Sequence, residues 1–157
     1  MNATPERRST TTCVGSFDVP LSAARAIELF TAEGERDWVD GWAPRYPASG
    51  AETGAVGGVF VTDGPAGDVV WVVSYVGQLE RRYARFDHLG TVGTVEVRCR
   101  PAGRSTSVEV TYRLTAVNAA AEPELARFER EYADLMRTWR AAIAAAIERG
   151  SISPDPA

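Results

Sequence analysis

Residues 122–150 read EPELARFEREYADLMRTWRAAIAAAIERG and carry the strongest periodic signal in the chain. From Leu125 to Ile147, apolar side chains recur at steps of three and four residues, which places them on one face of a helix of about seven turns. Pro123 suits the first turn, where its missing N–H is no loss, and Gly150 suits the end. The pattern predicts a long amphipathic helix that buries its apolar stripe against another layer.

A run of strands upstream is the predicted partner of this helix. The apolar period there changes from 3.6 to two, and strands are predicted at residues 59–62, 68–76, 79–86, 91–100 and 105–117. The last two strands alternate apolar and polar residues, which is typical of an antiparallel sheet with one buried and one wet face. The predicted strand at residues 68–76 is apolar on both faces, and simple alternation places Trp71, Val73 and Tyr75 on one of these faces.

One strand and two short helices are predicted before this sheet. Residues 10–19 are rich in β-branched types, which favour a strand. Ser22 is a suitable N-cap for a short helix over 23–30, and residues 35–42 predict one further helical turn. The segment 44–58 is rich in Pro and Gly and is expected to be irregular.

Length, charge and hydropathy limit the class of protein. A chain of 157 residues fits one domain, expected over 10–150, with a flexible segment at 1–9 and a disordered tail at 151–157. The net charge of -4 argues against a nucleic-acid surface. No segment approaches the roughly 20 apolar residues of a membrane span, and Met1–Thr12 lacks the apolar core of a signal peptide. We therefore expect a cytoplasmic protein without a transmembrane segment.

The residues that most often carry metal or nucleophilic chemistry are few. Cys13 and Cys99 are the two cysteines, and in a cytosolic chain they are expected to be reduced. His88 is the single histidine and lies near a predicted turn, where a solvated position is expected. No GxSxG, HExxH or phosphate-loop motif occurs. The sequence therefore indicates no metal and no cofactor.

Six short segments carry a family resemblance. They are FDVP (17–20), AIELFT (26–31), EGERDWVDGW (33–42), WVV (71–73), GTVEVR (93–98) and VTYRLTA (110–116). In this order they resemble the START-like or SRPBCC superfamily, which includes the birch pollen allergen and the polyketide cyclases. The resemblance implies an α+β helix-grip fold, in which a curved antiparallel sheet of about six strands wraps around the long C-terminal helix. Members bind sterols, phospholipids, hormones or polyketides, so the resemblance implies no single function.

In such a fold, the space between helix and sheet is the expected site. A helix on a strongly curved sheet touches it closely only at its ends, so the middle is either filled by large side chains or left open. The predicted lining consists of Trp42, Phe60, Trp71, Tyr75, Tyr83, Tyr112, Phe128, Tyr132, Met136 and Trp139. Because small-molecule sites are concave and mostly apolar, we expect binding of a small hydrophobic or amphipathic molecule. Plain core packing is the alternative for the same side chains.

Two other functions stay open. The resemblance implies a polyketide cyclase or aromatase as one alternative, for which Tyr83, Tyr112 and Arg85 are candidates for proton transfer. A protein-interaction module that uses exposed surface and needs no cavity is the other, and a homodimer is left open as well. The basic residues Arg81, Arg82 and Arg85 are mostly explained by a solvated sheet face, but one that points inward would suit a ligand carboxylate.

Overall fold

The computed structural model describes residues 6–156, which form one six-stranded antiparallel sheet, a short helix and a long C-terminal helix. The elements are β1 (Thr10–Val19), α1 (Ala23–Glu28), β2 (Val59–Gly64), β3 (Gly67–Val76), β4 (Glu80–Asp87), β5 (Thr91–Ala102), β6 (Ser105–Ala116) and α2 (Glu122–Glu148). Single turns of 3₁₀ helix lie at Gly34–Asp37, Ala51–Thr53 and Ala119–Ala121. Across the described part of the chain, no helix is long and apolar enough to cross a lipid bilayer.

The strands run in the order β1-β6-β5-β4-β3-β2, and each neighbouring pair is antiparallel. Strands β2 to β6 form a meander, and β1 pairs with β6 along its whole length, from Thr10 opposite Thr115 to Val19 opposite Thr106. The predicted α+β architecture is therefore confirmed, with its six strands, its long C-terminal helix and its short helices after β1.

Helix α2 covers the half of the concave face formed by β1 and β6. Its fully buried side chains are Leu125, Tyr132, Met136, Ile143 and Ala146. The contact with β1 is close because Gly15 has no side chain: a Cβ atom there would lie 2.6 Å from the Met136 Cγ. The other half of the concave face, on β2, β3 and β4, carries Phe60, Trp71 and Tyr83, which pack against a loop and against the side of α2.

An aromatic cluster joins the C-terminal half of α2 to α1. Trp139 of α2 lies with its ring centre 5.5 Å from that of Trp38 and 6.2 Å from that of Phe30. The indole N–H of Trp38 donates to the Leu29 carbonyl at 2.8 Å, so this buried ring also fixes the chain after α1. Trp38 is thus an anchor between the two helices.

Tyr75 does not lie where the alternation predicted. The pairing of β3 with β4 shifts register between Val73 and Tyr75, so Tyr75 pairs with Arg82 instead of continuing the face of Trp71. Its side chain is 42% exposed on the outer face, where the Arg82 guanidinium lies 4.7 Å from the ring centre. The prediction that Tyr75 lines the inner space is wrong, because one extra residue at a β-bulge reverses the alternation.

The segment after α2 packs against α1 as far as residue 156. Ile152 is buried, and the Asp155 carboxylate accepts hydrogen bonds from the Ser22 amide at 2.6 Å and from Arg25 Nη1 at 3.0 Å. The structure therefore differs from the disordered tail expected at 151–157, whose last residue lies outside the described part. At the other end, residues 1–5 of the expected flexible segment 1–9 also lie outside it.

Candidate functional site

The inner cavity is a small space between the sheet, α2 and the loop after α1. Seven aromatic side chains line it, each from a different segment of the chain: Phe30, Trp42, Phe60, Trp71, Tyr83, Tyr112 and Trp139. Its volume is about 20 Å³, which is close to what one water molecule needs. In this conformation the aromatic side chains therefore nearly fill the space that the sequence predicted as a cavity.

The rings pack in an ordered way around this cavity. Phe60 and Trp71, which face each other across β2 and β3, stack with ring centres 5.8 Å apart and planes 5° apart. Tyr83 meets both rings edge-on, at 6.1 and 6.3 Å. Trp42 meets the same two rings edge-on from the loop, at 6.4 and 6.2 Å. Such edge-to-face contacts add a modest attraction beyond the burial of area.

Most polar groups on these rings are already satisfied by the protein. The Trp42 indole donates to the Ala32 carbonyl at 2.7 Å, and the Trp71 indole donates to Thr62 Oγ1 at 2.9 Å. The Tyr83 hydroxyl donates to the Phe30 carbonyl at 2.6 Å, so this candidate for proton transfer is held in a structural hydrogen bond. The rings thus present mainly their apolar surfaces to the cavity.

Glu35 contributes the one charged side chain among the described residues that line the inner cavity. It lies in the 3₁₀ turn Gly34–Asp37, and its amide donates to the Thr31 carbonyl at 3.0 Å. The turn packs tightly on the end of α1, since a Cβ at Gly34 would lie 1.8 Å from the Glu28 carbonyl oxygen. Glu35 is half-buried, and loss of water around its carboxyl group raises the pKa of Glu35 to about 8.

The Glu35 carboxyl has no partner in the described part of the chain: neither a hydrogen bond nor an opposite charge offsets the effect of burial on its pKa. Sequence reasoning missed this residue because the run EGERD resembles a solvated, charged turn. The available signal was its position between two aromatic anchors, Phe30 and Trp38, on a turn that has to pack against them.

Tyr112 carries a second polar group near the cavity. Burial raises the pKa of its hydroxyl, and the negative charge of Glu35 acts in the same direction while Arg85 opposes it. The ring packs against Phe128 with ring centres 5.0 Å apart. Of the three candidates for proton transfer, Tyr112 is therefore the tyrosine whose pKa is affected by both Glu35 and Arg85.

The outer pocket lies at the N-terminal end of α2, beside the β2–β3 and β4–β5 turns. Its volume is about 170 Å³, and its lining includes Arg85, His88, Leu114, Arg127, Phe128 and Glu131. Arg85 lies two residues after Tyr83 on β4, so both side chains point to the inner side of the sheet. There Arg85 contacts Thr91 Oγ1 at 3.3 Å and Asp87 at 3.5 Å. For the basic residues Arg81, Arg82 and Arg85, the sequence favoured a solvated sheet face over an inward arginine. The structure nevertheless places Arg85 on the inner side of the sheet.

Two side-chain contacts separate the outer pocket from the inner cavity. The Arg85 guanidinium lies 5.4 Å from the centre of the Trp71 ring, and Phe128 packs against Tyr112. In each contact, one residue lines the outer pocket and the other lines the inner cavity. Both contacts are between side chains, and Arg85 and Phe128 are referred to below as the partition.

The remaining predicted site residues belong to the packing between α2 and the sheet. The Tyr132 hydroxyl donates to the Val110 carbonyl at 2.5 Å, and Met136 packs over Gly15. Neither borders the inner cavity or the outer pocket. For these two residues the alternative of core packing describes their position.

The two cysteines and the histidine lie as the sequence predicted. Cys13 on β1 and Cys99 on β5 are both free and buried, and β6 runs between their strands. Burial raises the pKa of the Cys99 thiol to about 11. His88 is exposed in the β4–β5 turn at the rim of the outer pocket.

Comparisons with known proteins find a likeness in structure. No family model matches the sequence, and no curated protein matches it. Ara h 8.0201 has a TM-score of 0.66 at 10% identity, covering 89% of this chain and 99% of that one. Norcoclaurine synthase from Thalictrum flavum, in complex with dopamine and hydroxybenzaldehyde, has a TM-score of 0.63 at 14% identity, covering 100% and 98%. CalU16 from Micromonospora echinospora has a TM-score of 0.60 at 13% identity, covering 91% of each chain.

At these identities the likeness shows the fold alone. The matches extend over nearly the full length of both chains, so the whole architecture is shared rather than one motif. The helix-grip fold that the sequence predicted is therefore confirmed.

Proposed function

We propose that the chain binds a small apolar or amphipathic molecule between the sheet and α2. One end of the ligand enters the inner cavity, and the rest of the molecule remains in the outer pocket. One observation carries this proposal: aromatic side chains from seven separate segments converge on a space that also holds an unpartnered carboxyl group. Apolar walls with a few polar groups are the usual composition of small-molecule sites.

Glu35 is the reason to prefer a binding site over ordinary core packing. Burial of a carboxyl group without a partner disfavours the folded state, and the raised pKa of Glu35 measures that cost. An apolar side chain at this position would pack without the cost. A strongly perturbed titratable group in a cleft is characteristic of functional sites. The presence of a carboxyl group at this position therefore supports a role in binding.

Entry of a ligand requires side chains to move, since the inner cavity holds about 20 Å³. Two places allow this. Arg85 and Phe128 form the partition towards the outer pocket, and Trp42 lies in an irregular loop where one hydrogen bond holds its indole. Norcoclaurine synthase, which shares the fold, is known in complex with two small aromatic molecules, and this supports the proposal by analogy.

Fluorescence titration with the neutral probe N-phenyl-1-naphthylamine tests the proposal. We expect saturable binding of one probe per chain, with a change in tryptophan emission because Trp42, Trp71 and Trp139 line the cavity. Phe128→Ala opens the partition and should accelerate association several-fold. Leu135→Ala removes a partly buried side chain of the same helix that lines neither space, and should leave the association rate unchanged. Absence of saturable binding by both the parent chain and Phe128→Ala overturns the proposal.

A further inference from the structure

We infer that the ligand carries an ammonium group, which pairs with the Glu35 carboxylate and lies against the surrounding aromatic rings. The inference rests on the proposed function, because it names the chemistry of the molecule that occupies the same cavity. Glu35 recognises the charge of the ligand, and the aromatic rings contact the organic cation.

The first argument is that the site lacks a positive charge. The two arginines that point inward from the neighbouring β4 are already engaged: Arg81 pairs with Glu28 at 2.7 Å, and Arg85 lies over Trp71 and beside Thr91 and Asp87. The Glu35 carboxyl is left without an opposite charge in the described part of the chain. A buried carboxylate is stable only when it is paired, so a cation delivered by the ligand would supply what the protein does not.

The second argument is the nature of the walls. Aromatic faces attract organic cations electrostatically, most strongly when the site excludes water, and tryptophan is the best of these partners. The inner cavity has three tryptophans, two tyrosines and two phenylalanines around one carboxyl group. An anionic ligand would meet repulsion from Glu35, and a neutral apolar ligand would gain nothing from it. The combination favours a primary or alkylated ammonium.

The third argument concerns protons. With the pKa of Glu35 raised to about 8, most of the free protein carries a neutral carboxyl group at pH 7. Binding of an ammonium ligand then converts this group to a carboxylate, and its proton is released to the solvent. Burial raises the pKa of Tyr83 and Tyr112, which line the same cavity as Glu35, so both remain protonated. The proton therefore comes from Glu35.

Calorimetric titration with two matched probes tests the inference. The probes are 2-naphthylmethylamine, which is cationic at pH 7, and its neutral analogue 2-naphthylmethanol. We expect the amine to bind at least tenfold more tightly, with release of close to one proton, measured in buffers of different ionisation enthalpy. Glu35→Gln should abolish both the preference and the proton release. Glu33→Gln is the matched control: this exposed carboxylate, two residues away, bonds Arg36 and Tyr46 outside the cavity, so the preference should persist.

The outcomes separate the two proposals. Equal affinity for amine and alcohol in the parent chain, or a preference that survives in Glu35→Gln, overturns the ammonium inference and leaves the apolar site standing. If neither the amine nor the alcohol binds, the proposed function is overturned as well. Because the parent chain alone distinguishes amine from alcohol, the test does not depend on the folding of any variant.

Discussion

Substitution of Glu35 by Gln should remove a pH-dependent loss of stability that originates in the inner cavity. The Glu35 carboxyl has its ordinary pKa of 4.5 in the unfolded chain and a pKa of about 8 in the folded one. Between these values the folded state binds more protons than the unfolded state, so stability falls as pH rises. Glu35 thus has no effect well below pH 4.5 and its full destabilising effect above pH 8.

The magnitude follows from the shift of about 3.5 pKa units. At about 1.4 kcal/mol per unit, the limiting effect is about 5 kcal/mol. Part of the Glu35 residue reaches solvent, and contact with water reduces the effect, so we expect about 2–5 kcal/mol. This is a large fraction of the typical net stability of a domain, which is about 5–15 kcal/mol.

Urea denaturation of the parent chain and of Glu35→Gln between pH 5 and pH 9 measures the effect. The advantage of Glu35→Gln should grow up to about pH 8 and then level off. Glu33→Gln is again the control: hydrogen bonds from Arg36 and Tyr46 hold the pKa of Glu33 below its usual value of 4.5, so its pH-dependent contribution falls mainly below this interval. The difference caused by Glu33→Gln should therefore change little with pH across the range in which the effect of Glu35→Gln grows. A constant difference for Glu35→Gln would refute the claim that its carboxyl is buried without a partner.

Four further predictions concern the packing. Ile152→Ala should destabilise the fold by about 2–5 kcal/mol in denaturant melts, because Ile152 lies in the segment after α2 and is buried; an effect below about 0.5 kcal/mol would mean that this segment does not dock. Tyr132→Phe should cost about 1 kcal/mol through its lost hydrogen bond, whereas Tyr132→Ala should cost about 3–5 kcal/mol in the same melts, and equal costs would contradict the packing. Gly93→Ala should cost about 3 kcal/mol by thermal denaturation, because the added Cβ would lie 1.7 Å from the Arg113 carbonyl oxygen on β6. Cys13 and Cys99 should resist a thiol reagent in the folded protein and should both react after denaturation, and fewer than two reactive thiols would contradict the strand order.

The regular elements could be predicted from the sequence because their signals are periodic. The apolar stripe from Leu125 to Ile147 specified α2, and alternation over residues 91–116 specified β5 and β6. Both patterns reflect burial of one face, which is the same physical cause that holds the elements in place. The prediction of Tyr75 failed where this reasoning no longer applies, since a bulge inserts one residue without any change in composition.

The aromatic part of the site was largely predictable, and its charged part was not. Large rings on inward positions of a curved sheet point to the space under the helix, so Phe60, Trp71 and Tyr112 were found. The direction of the Glu35 side chain depends on how closely its 3₁₀ turn approaches α1, which is a tertiary contact at Gly34. Ile152 was missed for a related reason, because one apolar residue in a polar tail gives no periodic signal.

Side-chain ¹³C NMR of the Glu35 carboxyl, assigned by comparison with Glu35→Gln, tests the central claim most directly. In the free protein we expect the carboxyl to titrate with a pKa of about 8. Saturation with 2-naphthylmethylamine should lower this pKa by at least one unit, since a bound cation stabilises the carboxylate. An ordinary carboxyl pKa in the free protein, or a raised pKa that the bound amine leaves unchanged, would contradict the account.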